Sequence, residues 1–195
     1  MPLNILVFPL VFSLSWFLNT TFVFAGQNQP IKLSDEAQIS VITFGPYQGE
    51  LWSAFGHNGI RVYDPLLDID WMYDWGRFNF DQPNFFWNFA RGYMLYSIGR
   101  TQKYSNVKSH YIKQNRSIKE QVLNLTEKEK QTFFNYLEYN NLTENRTYLY
   151  NYVYDNCATK IRDLILKIIP KASLDFSFKV PKKSIRDLMD DYLYD

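Results

Sequence analysis

An α+β domain, with an antiparallel sheet packed against helices, is the fold class that this sequence predicts. Three observations point there. Short β-branched and aromatic runs bounded by Gly, Pro and Asp fill the first half, at residues 39–44, 60–63 and 70–76. The second and third of these runs are natural hairpin partners, which makes their pairing antiparallel. The second half carries apolar residues at helical spacing instead, from Thr126 to about Tyr139 and again from Cys157 to Ile168.

The elements follow in order. Residues 39–44 read as a strand ended by Gly45-Pro46, and residues 60–63 as a second strand with His57 near its entry. Residues 70–76 make the third, and a suitable register would bring Asp74 beside His57. In residues 83–92, Pro83 near the start and Gly92 at the end mark a short helix. Residues 93–98 and 118–125 are further strands, and the polar stretch between them, with His110, reads as solvated loop. Thr126 and Glu129 form a capping-box pattern for a helix whose Lys130, Phe133, Phe134 and Leu137 share one face. Tyr148, Tyr150, Tyr152 and Tyr154 alternate, so an extended chain would place four phenols on one side. Pro170 stops the next helix, and residues 183–192 predict a final amphipathic one.

The chain has 195 residues, 46% of them hydrophobic, which suffices for one packed domain with its own core, and a second full domain is not expected. Its 21 basic and 20 acidic residues are interspersed, with a net charge of +1, so no basic stripe marks a nucleic-acid partner. The 16 Phe, 15 Tyr and 5 Trp supply an aromatic core and a tyrosine-rich surface. No charged side chain precedes Lys32, residues 5–18 are almost wholly apolar, and Val23-Phe24-Ala25 is a small-x-small site. These features predict a secretory signal peptide over residues 1–25, with an uncleaved anchor as the other reading. Residues 26–37 then form a polar lead-in expected to be mobile, and the domain proper runs from 38 to 195.

A single cysteine in an exported chain has no internal disulfide partner. Cys157 follows Asp155-Asn156, two good N-cap types, and so falls in the first turn of a helix. There, unpaired backbone N–H groups and the positive end of the helix dipole favour a thiolate. A small buried side chain is the plainer alternative. Of the two histidines, His57, between Gly56 and Gly59 at a strand entry, is the candidate base, although a satisfied core histidine fits the same spacing. Two His and one Cys without short ligand spacing do not make a zinc site, and no Gly-x-Ser-x-Gly occurs, so neither a metal nor another cofactor is expected.

Several motifs occur in a shared order: Phe55-Gly56-His57, Arg61-Val62, Trp75-Gly76-Arg77-Phe78, Pro83-Asn84-Phe85, Phe89-Ala90-Arg91-Gly92, Leu123-Asn124-Leu125-Thr126, Asn145-Arg146 and Tyr154-Asp155-Asn156-Cys157-Ala158-Thr159. In this order they resemble the Lnb N-terminal periplasmic domain family, over roughly residues 38–190. The resemblance implies an exported, membrane-associated bacterial domain linked to lipoprotein N-acylation, with membrane lipid or lipoprotein as substrate and a membrane-embedded partner. The His-before-Cys order is also similar to that of circularly permuted papain-like proteins of the NlpC/P60 and lecithin:retinol acyltransferase type. That arrangement implies Cys157 as nucleophile and His57 as base. Strand order offers Asp74 as the third, orienting group, and Asn156 is placed at the helix cap beside the oxyanion position. A peptidoglycan peptidase or amidase, and a non-catalytic binding module, are the other functions this pattern accommodates.

Overall fold

The computed structural model describes residues 30–50, 53–169 and 183–193; the expected signal peptide lies outside them. Three strands come first: β1 (Gln38–Phe44), β2 (His57–Asp64) and β3 (Ile69–Arg77). They are followed by α1 (Phe85–Ala90), β4 (Leu95–Thr101), α2 (Tyr104–Lys113), β5 (Ile118–Val122), α3 (Glu127–Asn141) and β6 (Thr147–Leu149). The chain continues through α4 (Cys157–Ile168) and α5 (Ile185–Leu193). Among the described residues the strands form one sheet in the order β5-β1-β2-β3-β4-β6, with every neighbouring pair antiparallel. The fold is therefore α+β, as expected.

Side chains alternate across the sheet, so each strand serves two cores. Ile39, Ile60, Val62, Tyr73, Trp75 and Ile98 point to one face and pack against Phe133, Phe134 and Leu137 of α3 and Ile161 and Leu164 of α4. Residues of the opposite parity, Ile42, Phe44 and Met72, pack with Tyr104, Val107 and Tyr111 of α2. The polar tips of the buried aromatics are satisfied by α3: Tyr73 donates its hydroxyl to Glu138 at 2.6 Å, and Trp75 its indole N–H to Asn140 at 3.1 Å. These bonds fix α3 across β3, and α4 lies beside it over the central strands.

Several expectations from the sequence shift. The His110 stretch is not loop but part of α2, because Tyr104, Val107 and Tyr111 recur at helical spacing and dock on the sheet, leaving His110 exposed. The helix expected from Pro83 begins at Phe85, after a turn in which Asn84 has φ +57. Strand β4 starts two residues later than expected and β5 ends at Val122. The tyrosine alternation stops at Tyr150, because Asn151 Oδ1 accepts the backbone N–H groups of Val153 and Tyr154, each at 2.9 Å, and turns the chain. Tyr152 and Tyr154 are left exposed.

The lead-in is anchored from Leu33 onward. Leu33 and Ala37 are buried, Leu33 N–H donates to Gln131 Oε1 at 2.8 Å, and Ser34 donates through N–H and Oγ to the two carboxylate oxygens of Asp64, both at 2.7 Å. Asp64, at the end of β2, also accepts the N–H groups of Leu66 and Leu67, so one carboxylate ties this segment to the β2–β3 turn. At the other end of β2, Tyr192 of α5 lies 5.9 Å from Phe55, in the turn that delivers His57. All these elements belong to the unit spanning Lys32–Asp195.

Candidate active site

His57 opens β2 directly after Gly56, whose φ of +79 suits glycine, and whose missing Cβ would lie 2.6 Å from the Phe44 carbonyl oxygen. That turn sets the imidazole on the α2 side of the sheet, near-parallel to the Phe44 ring at 6.3 Å, with Phe44 in turn stacked on Tyr111. The β2–β3 ladder runs from Asp64↔Ile69 to Gly59↔Asp74 and stops there. Beyond Asp74 the strand bulges between Trp75 and Arg77, around Gly76 with φ +95. His57 and Asn58 thus have no partner in β3, and the first turn of α4 brings Cys157 against them.

The three expected groups meet there. His57 Nε2 lies 3.0 Å from Asp74 Oδ2, with both side chains largely buried, at 20% and 16% exposure. The other ring nitrogen, Nδ1, remains for the thiol, with which His57 interacts both as a hydrogen-bond partner and as a charge. Burial pulls the imidazole pKa down, but the hydrogen bonds to Asp74 and Cys157 and the charges of both outweigh it, so it rises to about 9. Burial alone would raise the thiol. The imidazole and the backbone N–H groups of Asn58 and Ala158 more than offset this and hold Cys157 below its ordinary value. Both shifts favour the thiolate and imidazolium over the neutral pair.

Arg77 is a site residue that sequence reasoning did not single out by role. Burial opposes ionisation of Asp74, yet His57 and then Arg77 keep this carboxyl below the usual range. The guanidinium reaches back over the bulge: Nε donates to Asp74 Oδ1 at 2.8 Å, Nη2 bonds the same oxygen, and Nη2 also donates to Thr101 Oγ1 at 2.8 Å. No motif signals this contact, since it depends on the bulge that turns Arg77 onto the face of Asp74.

Asn156 is the N-cap of α4. Its Oδ1 accepts from Ala158 N–H at 2.9 Å and Thr159 N–H at 3.0 Å, and its Nδ2 donates to the Tyr152 carbonyl at 2.8 Å. Thr159 Oγ1 accepts the Asn156 N–H in return, completing a capping box. With both amide atoms of Asn156 engaged, its part is to aim the turn. The N–H of Cys157 itself has no acceptor among the described residues and stands at the helix start, where a developing oxyanion would be met.

Burial raises the phenols of Tyr148 and Tyr150, and the nearby Cys157 adds to the shift in both. His110 takes no part, and Arg162 and Asp163 form an exposed pair at 2.7 Å. Among the described residues no group of three His, Cys, Asp or Glu is placed to hold a metal ion.

Residues 28–191 match the Lnb N-terminal periplasmic domain. The chain belongs to that family. No curated protein and no solved structure matches it. Membership in the Lnb N-terminal family indicates an exported, periplasmic location, and no described helix is long and apolar enough to cross a membrane. Within this family member, the Phe-Gly-His and Asp-Asn-Cys motifs converge through His57 and Cys157.

Proposed function

We propose that this domain is a thiol acyltransferase or hydrolase that works through a thioester on Cys157, with a permuted papain-like arrangement of its groups. The observation that carries the reading is the continuous relay of Cys157, His57, Asp74 and Arg77, in which the thiol is lowered and the imidazole raised. A cysteine kept only for packing needs neither shift.

In the first half-reaction the thiolate attacks the carbonyl carbon of an ester or amide, forming the C–S bond while the carbonyl oxygen becomes an oxyanion facing the Cys157 N–H. Collapse breaks the bond to the leaving oxygen or nitrogen, which takes the proton from the His57 imidazolium. In the second, an amine or water attacks the thioester and gives its proton to the imidazole, and the C–S bond breaks to restore thiolate and imidazolium. Asp74 orients the ring and stabilises its positive charge throughout. An exported location makes a membrane lipid the natural donor and a lipoprotein N-terminus the natural acceptor, presented by a membrane-embedded partner.

The test is to incubate the purified mature domain with phospholipid vesicles and a lipopeptide bearing a free N-terminus, following intact mass. An acyl adduct in the wild type that is absent from Cys157→Ala is the expected result. An adduct that survives the substitution overturns the nucleophile, and cleavage of muropeptides without any acyl adduct would make the domain a cell-wall peptidase instead.

A further inference from the structure

Asn58, next in sequence to the candidate base, meets the site with both its backbone and its side chain. Pairing with β3 ends at Gly59, and the backbone N–H of Asn58 donates to the Cys157 sulfur instead. The half-buried side chain shares the parity of Ile60 and Val62, which places it on the α4 face of the sheet. Across the β1–β2 ladder it faces Thr43, whose Oγ1 donates to Asn58 Oδ1 at 3.0 Å. That bond occupies only the oxygen of the carboxamide. Nδ2, which carries two N–H donors, has no acceptor among the described residues. Nor is the amide sealed into the core: Asn58 and Ala158 together line a cavity of about 390 Å³, in which Gln121, Asn124 and Arg162 stand among aliphatic side chains. Its free donors are therefore open to a substrate.

We infer that Asn58 is a further catalytic residue, whose Nδ2 amide joins the free backbone N–H of Cys157 in holding the oxyanion. The inference rests on the proposed nucleophile and adds the side chain that meets the substrate's carbonyl oxygen. Covalent geometry keeps Nδ2 within a few ångströms of its own backbone N, which touches the sulfur, so the oxygen of a carbonyl joined to Sγ forms within its reach. The other carboxamide at the helix start, Asn156, has both of its amide atoms engaged in the cap and cannot serve. Thr43 has a part as well, because its hold on Oδ1 keeps that oxygen from turning toward the oxyanion and repelling it. No proton changes hands at Asn58. The amide donates a hydrogen bond while the carbonyl π pair moves onto oxygen, and the bond slackens when that pair returns to expel the leaving group. Charge on this oxygen develops only as the C–S bond forms, so the donor acts on the transition state and not on the resting sulfur.

The experiment compares two reactions of one sulfur in the purified mature domain. Acylation by 4-nitrophenyl acetate passes through an oxyanion, whereas alkylation by iodoacetamide is a displacement that forms none. Asn58→Leu should slow the appearance of acyl-Cys157, read by intact mass, by roughly 10²-fold or more, while alkylation stays within about twofold of the wild type. Thr43→Val, which releases the carboxamide but leaves the donor in place, should lower acylation by a smaller factor and leave alkylation as it was. Equal acylation rates in the wild type and Asn58→Leu overturn the assignment. So does a parallel fall in both reactions, which would make Asn58 a support for the sulfur alone. If Asn58→Leu fails to melt cooperatively, Thr43→Val decides by the same two rates, and an unchanged acylation rate rejects the role. Failure of the nucleophile looks different: the wild type then gives no acyl adduct at all, and both readings fall. An adduct that forms equally fast in every variant leaves Cys157 standing and removes only Asn58.

Discussion

At the residue scale, the His57 imidazole sets the state of both its neighbours. With the thiol lowered by that ring, alkylation of Cys157 by iodoacetamide should stay fast well below pH ~8.5, where an ordinary cysteine has become mostly protonated. In His57→Ala the profile should move up toward the ordinary one, leaving only a few per cent thiolate at pH 7. A wild-type rate that falls off at the ordinary pKa would count against the pair. In the proposed acyl transfer the leaving group takes the imidazolium proton, and a group raised to about 9 gives that proton up above this pH, so the proposed reaction should decline there. Arg77 acts one step back. A carboxylate held low stays charged to lower pH and loses this when its cation is removed, so Arg77→Gln should move the acid limb of the pH–rate profile upward. The fold should survive, since Arg77 is 40% exposed. The places of Cys157 and Asn156 at a helix start and of His57 at a strand entry were legible as local patterns, while the pairing of Cys157 with His57 was implied by the family resemblance. The clamp of Arg77 on Asp74 was not, because it is created by a bulge.

At the element scale, two short-range devices hold the site. The Asn156 cap gives α4 its starting point, and Asn156→Ala should cost about 1 kcal/mol in a denaturant titration and slow Cys157 alkylation. Asn156→Asp, which keeps an acceptor at the cap, should recover most of both. Asp64 does the equivalent work at the far end of β2. Burial disfavours its charge, but four donors from Ser34, Leu66 and Leu67 hold its pKa below the ordinary value. Its contribution is therefore present above pH ~3.9 and is lost as the pH falls through the lower folded value. Asp64→Asn should lower stability by roughly 1–3 kcal/mol at pH 7, and the two melting curves should converge in acid. Elements with dense apolar spacing or a plain cap, β1 to β3, α3 and α4, could be read from the chain. Helix α2 could not, since its docking residues Tyr104, Val107 and Tyr111 stand among Lys, Ser and Asn, and only the sheet surface beneath makes them a face. The tyrosine run misled for a similar reason, because the turn-forming habit of Asn151 outweighs alternation.

At the scale of the whole molecule, the sheet order assembles what the chain keeps apart. His57 and Asp74 come from the two central strands, and Cys157 arrives on a helix whose Ile161 and Leu164 share a core with Phe133 and Phe134. The hairpin and the α+β class follow from local patterns. The six-strand order, and the helices on both faces, depend on pairings between residues far apart in sequence, and no local period encodes those. This arrangement reverses the usual effect of unfolding on a half-buried cysteine. In a urea titration at pH 6, Cys157 should become less reactive to iodoacetamide as it becomes exposed, at the same midpoint as the loss of circular dichroism, because the unfolded thiol has no imidazolium and is protonated. For a chain crossing into an oxidising compartment the consequence concerns quality control. Before the domain folds, the sulfur has no imidazole beside it and is an ordinary, sluggish thiol, poorly disposed to mixed disulfides. The ring that lowers its pKa stands beside it only once β2 and α4 have packed together.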